Sequence, residues 1–210
     1  MMTNLLITFE GGDGCGKSTQ LRLTAAWLRD QGKSVLETRQ PGATPLGLEI
    51  RRLLLSGEYI PVAECELLMF LADRVQHVKT VIQPALAAGQ WVLCDRYSDS
   101  TLAYQLAARG LSDHWDLAPM LAFAESGCVP MKTFWLDSSV EVAMARMEVR
   151  QQRGEKSTRL DHESMQFHQR VHQAFEVIFS QNSERVVRVD ASPSIEQVQN
   201  YIQQSLIACL

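Results

Sequence analysis

Five short apolar runs punctuate the chain, at Leu5 to Phe9, Ser34 to Thr38, Trp91 to Asp95, Thr133 to Asp137 and Val186 to Asp190. Runs of this length bounded by turn residues predict strands, and strands alternating with helical segments predict a parallel sheet wrapped by helices. Trp91-Val-Leu-Cys94 and Val186-Val-Arg-Val189 are nearly all apolar, as strands covered on both faces should be; Arg188 is the exception. Between the runs, apolar residues recur at helical spacing over Ser18 to Arg29, Leu46 to Leu55, Val62 to Ala87, Ser100 to Ala107, Trp115 to Glu125, Val140 to Gln151, Glu163 to Phe179 and Ile195 to Ile207. No repeat, low-complexity tract or linker interrupts this alternation. The expectation is an α/β fold forming one domain over residues 1–210.

In such sheets ligands collect at the carboxyl ends of the strands, and chemistry-bearing residues stand there. The first run opens into Gly11-Gly-Asp-Gly-Cys-Gly-Lys-Ser18, which fits G-x-x-x-x-G-K-[ST] without a mismatch and is followed by a helix. Backbone N–H groups of such a loop cradle phosphates, Lys17 reaches the β and γ phosphates, and the Ser18 hydroxyl ligates Mg²⁺. Asp95 closes the third run, where it either holds Mg²⁺ beside Ser18 or caps the next segment. Arg96 either clamps a second phosphate or pairs with a local carboxylate. Arg39, before the turn at Pro41-Gly42, places a cation over the same cleft.

Phe70 and Arg74 lie one helical turn apart. They suit stacking on a nucleobase and bonding to its edge, or equally a core phenylalanine beside a snorkelling arginine. Ser100, Thr101, Tyr104 and Gln105 offer polar groups to a base-like ligand or form an ordinary solvated helix start. Arg150 to Arg159 contains no apolar residue, so a mobile flap at about 150–160 is expected, closing over a phosphoryl donor or simply solvated.

Charge narrows the partners: a net charge of -4 gives no general attraction to nucleic acid or an anionic membrane. No apolar run approaches the ~18 residues that cross a bilayer, and the first run has no basic segment before it, so it is expected to be a core strand and not a signal peptide. Five cysteines without a C-x-x-C spacing suggest neither disulfides nor zinc and fit a reducing cytoplasm. His168 and His172 share a helix face without a convincing ligand set around them.

Taken together, Phe9-Glu-Gly-Gly-Asp-Gly-Cys-Gly-Lys-Ser-Thr-Gln20, Thr38-Arg-Gln-Pro-Gly-Ala-Thr-Pro-Leu-Gly47 with Ile50-Arg-Arg-Leu-Leu-Leu55, Met69-Phe-Leu-Ala-Asp-Arg-Val-Gln-His77 and Asp95-Arg-Tyr-Ser-Asp-Ser-Thr-Leu-Ala-Tyr-Gln105 resemble the bacterial thymidylate kinases over nearly the whole chain. The resemblance implies a three-layer P-loop kinase fold with a five-stranded parallel sheet and a mobile lid. It implies ATP-dependent, Mg²⁺-assisted phosphorylation of dTMP to dTDP in dTTP biosynthesis, by a cytoplasmic homodimer that pairs through the helical segment after Pro61. ATP would sit on Gly11, Gly12, Asp13, Gly14, Cys15, Gly16, Lys17, Ser18 and Thr19. Asp13 would also meet the deoxyribose 3′-hydroxyl, Phe70 would stack on thymine and Arg74 would bond its edge. Arg39 and Arg96 would hold the dTMP phosphate, with Ser100 beside them, Thr101 and Gln105 would reach the base, and Tyr104 would crowd the 2′ position. Gly14 stands where some relatives place an arginine, so Lys17, Arg96 and a lid arginine, Arg153 or Arg159, would be catalytic. Ser18 and Asp95 would hold the metal. Gln40 replaces a usual glutamate, Leu106-Ala-Ala108 a glycine-rich stretch, Thr158 a usual aspartate and Asp161 a usual glutamate. A kinase of another nucleoside monophosphate is the alternative. A GTP-hydrolysing switch is less well matched, since the chain lacks an N-K-x-D segment.

Overall fold

The computed structural model describes residues 5–113, 116–154 and 157–210. Its centre is a sheet of β1 (Leu6–Glu10), β2 (Val35–Arg39), β3 (Trp91–Asp95), β4 (Lys132–Asp137) and β5 (Val186–Asp190), in the order β2-β3-β1-β4-β5. Every pairing is parallel, so all five carboxyl ends open on one edge. β1 is central and wholly buried, as its apolar sequence demands. β5 is an edge strand, which explains Arg188: its guanidinium leaves the sheet to pair with Asp137 and lie 5.0 Å from the Trp135 ring.

Side chains alternate across a strand, and that alternation sorts the helices. Ile7, Phe9, Leu93, Phe134 and Leu136 point to the face covered by α1 (Lys17–Asp30) and α9 (Ile195–Ile207), meeting Leu21, Leu28 and Ile202. On the other face Leu6, Val92 and Cys94 pack on Val78 and Ile82, while Trp135 and Val186 pack on Phe167, Val171 and Phe175 of α8 (Met165–Gln181). The same parity sends Asp95 toward the α1 side and Glu10 toward the opposite one.

α2 (Pro45–Leu55) and α3 (Ala63–His77) follow β2. The single helix expected over Val62 to Ala87 is α3, a π-helical turn at Val78–Ile82, and α4 (Gln83–Ala87). Pro84 is the physical reason: it has no N–H for an α-helical bond, and the ladder widens just before it, with Gln83 N–H donating to Val78 O. The helix expected from Ser100 starts earlier, as α5 (Ser98–Thr101), and continues as a π-helical stretch over Leu102–Ala108. α6 (Ala118–Glu125) begins after Trp115, the expected start, which lies outside the described residues. α7 (Val140–Gln152) then leads to a 3-10 turn at Arg159–His162. α8 runs from Met165, capped by Ser164 and two residues inside the expected Glu163 start, to Gln181. Among the described residues no helix is long and apolar enough to cross a membrane.

Candidate active site

The loop from Gly11 to Gly16 turns where side chains would not fit. At Gly11, φ is +131° and an added Cβ would lie 2.6 Å from Leu136 O. At Gly14, φ is +80° and a Cβ would lie 2.3 Å from Ala143 O in α7, so the loop and that helix touch backbone to backbone. Lys17, at the start of α1, folds its ammonium back over the loop, donating to Gly12 O at 2.5 Å and Gly11 O at 3.2 Å. Ser18 donates its hydroxyl to the Asp95 carboxylate, a consequence of the parity that aims Asp95 at α1. A hydroxyl with one carboxylate at a phosphate loop is the sparse, all-oxygen donor set that Mg²⁺ uses when phosphates and water complete its shell. These residues therefore fit that ion; among the described residues no three His, Cys, Asp or Glu gather into another metal cluster.

Beyond the loop opens a cleft of about 1000 Å³. Residues 13–20 form one wall, and Arg146, Arg150 and Arg153, successive turns along α7 and its C-cap, form the other. A helix N-terminus facing a row of guanidinium groups makes a strongly anion-attracting trench.

A second, smaller pocket of about 80 Å³ lies behind its inner end. Phe70 and Arg74 of α3 both line it; Phe70 also packs against the core cluster of Trp135 and Phe167, and Arg74 is only 2% exposed, so it does not snorkel. Its Nε donates to Gln40 Oε1 at 2.9 Å, and its Nη2 donates to Tyr97 O at 2.9 Å and Thr101 Oγ1 at 2.8 Å. Its buried Nη1 has no partner among the described residues. A desolvated cationic N–H pair without an acceptor is costly, and here it belongs to a side chain lining a pocket. Thr101 and Gln105 also line this pocket but are already engaged, Thr101 with Arg74 and Gln105 with Glu66 at 2.9 Å.

The compartments share Asp13, Gln40, Arg51, Arg96 and Thr158. Arg96 adopts φ +68° and reaches back across β1: Nη2 donates to Asp13 Oδ1 at 2.6 Å and Tyr104 Oη at 3.0 Å, and Nη1 to Gly11 O at 3.1 Å and Ser100 Oγ at 3.0 Å. Tyr104 donates its hydroxyl to Asp13 Oδ2 at 2.9 Å. Burial alone would raise the Asp13 pKa, yet Arg96, Lys17 and the Tyr104 hydroxyl hold it well below the usual carboxylate range, so Asp13 is an anion and an acceptor. Glu10 supports this group from behind, accepting from Tyr97 N at 2.6 Å and Ser100 Oγ at 2.5 Å. Burial, and then Asp99 nearby, push its pKa up to about 7.

Other expectations separate. Arg39 lines the large cleft and not the inner pocket, because β2 ends one strand farther out. Arg51, which the sequence reading did not single out, lines both compartments, and Arg39 and Arg96 lie near enough to depress its pKa after burial has done so. The one signal for it was the pair Arg51-Arg52: Arg52 turns outward to Glu49 and Glu58, and its neighbour therefore turns inward. Arg153 lines the large cleft, while Arg159 does not and requires correction. The expectation of a wholly solvated segment fails there, since Arg159 pairs with buried Glu66 and donates to Leu54 O at 3.2 Å, away from the cleft. Thr158 and Asp161, the two departures noted above, cap each other across this turn. Glu155 and Lys156 of the expected flap lie outside the described residues.

Comparison with known proteins places the whole chain in one family. The family model "Thymidylate kinase" matches residues 9–202. A thymidylate kinase of Nostoc punctiforme is 46% identical over 208 residues, 98% of this chain and 96% of that protein, and one of a Synechococcus strain is 45% identical over 92% and 90%. The crystal structure of thymidylate kinase from Ehrlichia chaffeensis superposes with a TM-score of 0.74 at 29% identity, covering 97% of this chain and 98% of that one. A family match over residues 9–202 and relatives above 40% identical over nearly the whole chain show that the chain belongs to the thymidylate kinase family.

Proposed function

We propose that the protein is an ATP-dependent kinase of dTMP, forming dTDP and ADP. The observation that supports it most is the shared wall: two compartments meet at Asp13 and Arg96, so a nucleotide in each would oppose its phosphates there. An oxygen of the acceptor phosphate attacks the γ phosphorus, the bond to the β,γ-bridging oxygen breaks, and ADP leaves with that electron pair. Lys17 exchanges its loop carbonyls for the β and γ oxygens, and Arg96, held from both sides, orients the acceptor phosphate with Arg51 and Arg39 beside it. Arg153 of the lid supplies charge to the transferring group, the lid being the chain near 150–160. Ser18 and Asp95 would hold Mg²⁺, which when bound neutralises charge on the donor phosphates.

On the acceptor side, Phe70 stacks on thymine, Arg74 donates Nη1 to its edge, and Ser100, Thr101 and Gln105 complete the wall. Tyr104, fixed by Asp13 and Arg96, leaves little room for a 2′-hydroxyl, while Asp13 remains an acceptor for the 3′-hydroxyl. The whole of 1–210 acts as one domain in the cytoplasm. A second copy pairs on the exposed apolar side chains Ile60, Val62 and Leu68. ADP release measured with dTMP, dUMP, AMP, CMP and GMP side by side tests the proposal: dTMP is expected to give the highest kcat/KM, and a preference for any ribonucleotide would refute it.

A further inference from the structure

The partners of Arg74 form a chain with only one consistent set of protons. A guanidinium only donates, so the Gln40 oxygen that meets Arg74 Nε at 2.9 Å must be the amide carbonyl. The other end of Gln40 is then its NH₂, and it lies 2.9 Å from His77 Nδ1. That nitrogen must carry a lone pair, so the ring proton sits on Nε2 and is donated to Thr38 Oγ1 at 2.7 Å. His77 is fully buried, and burial with Arg74 nearby pushes its pKa down to about 4, so the ring stays neutral at physiological pH. Asp73, next to Arg74, fixes the same turn by accepting from Gly42 N at 3.0 Å.

We propose that Gln40 and His77 are positioning residues for base recognition, a neutral relay from Thr38 that orients Arg74 so that its Nη1 alone is left for the acceptor's base. The proposal rests on the acceptor reading above. In it, the amide at position 40 is a working part of the base pocket: only a group with an acceptor at one end and a donor at the other serves both Arg74 and this histidine tautomer.

Long-range ¹⁵N–¹H correlation of the histidine rings in the free enzyme tests the relay without substrate: His77 is expected protonated at Nε2 and bare at Nδ1, and the opposite tautomer or an imidazolium would overturn it. In Gln40→Glu the carboxylate has no N–H to give, so the His77 proton is expected to move to Nδ1; an unchanged ring pattern would also overturn the relay. In Gln40→Met the KM for dTMP is expected to rise about tenfold, as loss of a hydrogen bond to a charged group implies, with kcat and the KM for ATP within about twofold. Placed on an Arg74→Met background, the same change should add nothing; additive losses would show that Gln40 acts by another route. Should the wild type not use dTMP, the ring assignment would still stand or fall alone, which separates the two failures.

Discussion

The large cleft and the inner pocket are built by opposite means, which suit them to different ligands. The cleft, about 1000 Å³, is built from backbone N–H groups of one contiguous loop and from a row of arginines on α7. The pocket, about 80 Å³, is built from side chains of separate segments, among them the buried Arg74, Gln40, Thr101 and Gln105, which hydrogen bonds fix in place. Polyphosphate is defined by charge, which acts over a distance and tolerates mobile partners. A base is defined by the positions of its donors and acceptors, which only desolvated, immobilised groups can discriminate.

The sharpest way to break this contrast is Lys17→Ala, which removes the ammonium folded over the loop. Turnover should fall on the order of a thousandfold or more, the upper range for losing a preorganised charge at the reacting centre; near-normal kcat would show that the cleft is not the donor site. Phe70→Ala should act on one compartment only, raising the KM for dTMP about tenfold, the scale of an aromatic stack on a base, while leaving the KM for ATP nearly unchanged. An equal rise for both would make Phe70 a packing residue. The smallest effect concerns the shared wall. The folded-state pKa of Glu10, about 7, lies above its ordinary 4.5, so between these values the fold holds a proton that the unfolded chain has released. Stability from this group is complete below about 4.5 and is lost as pH rises through about 7. Urea denaturation of wild type and Glu10→Gln should therefore show the wild type losing ground to the variant from about pH 5 to pH 8; parallel profiles would refute the shift.

The same contrast governs what could be read from the sequence. The phosphate loop is contiguous, and its partner Asp95 closes a recognisable strand, so both were legible, as were the five strands and the order of the helices. Arg74 was visible as one helical turn from Phe70, but its burial and its unpaired Nη1 depend on Gln40, Tyr97 and Thr101, which lie far from it along the chain. Glu10 gave no signal, because a carboxylate ending an apolar strand looks the same whether it faces ligand or supports the groups that do. Arg159 misled for a physical reason: a segment without apolar residues still docks when buried Glu66 offers it a counter-charge.

The contact between Gly14 and α7 constrains how this enzyme could be re-engineered. With Ala143 O waiting 2.3 Å from any Cβ, and a left-handed backbone at that position, an arginine cannot simply be grafted into the loop. The helix would first have to retreat, carrying Arg146, Arg150 and Arg153 with it. Putting a cation in the loop is therefore a two-part exchange, in which the incoming charge requires the displacement of the α7 arginines, and intermediates bearing either change alone would be handicapped.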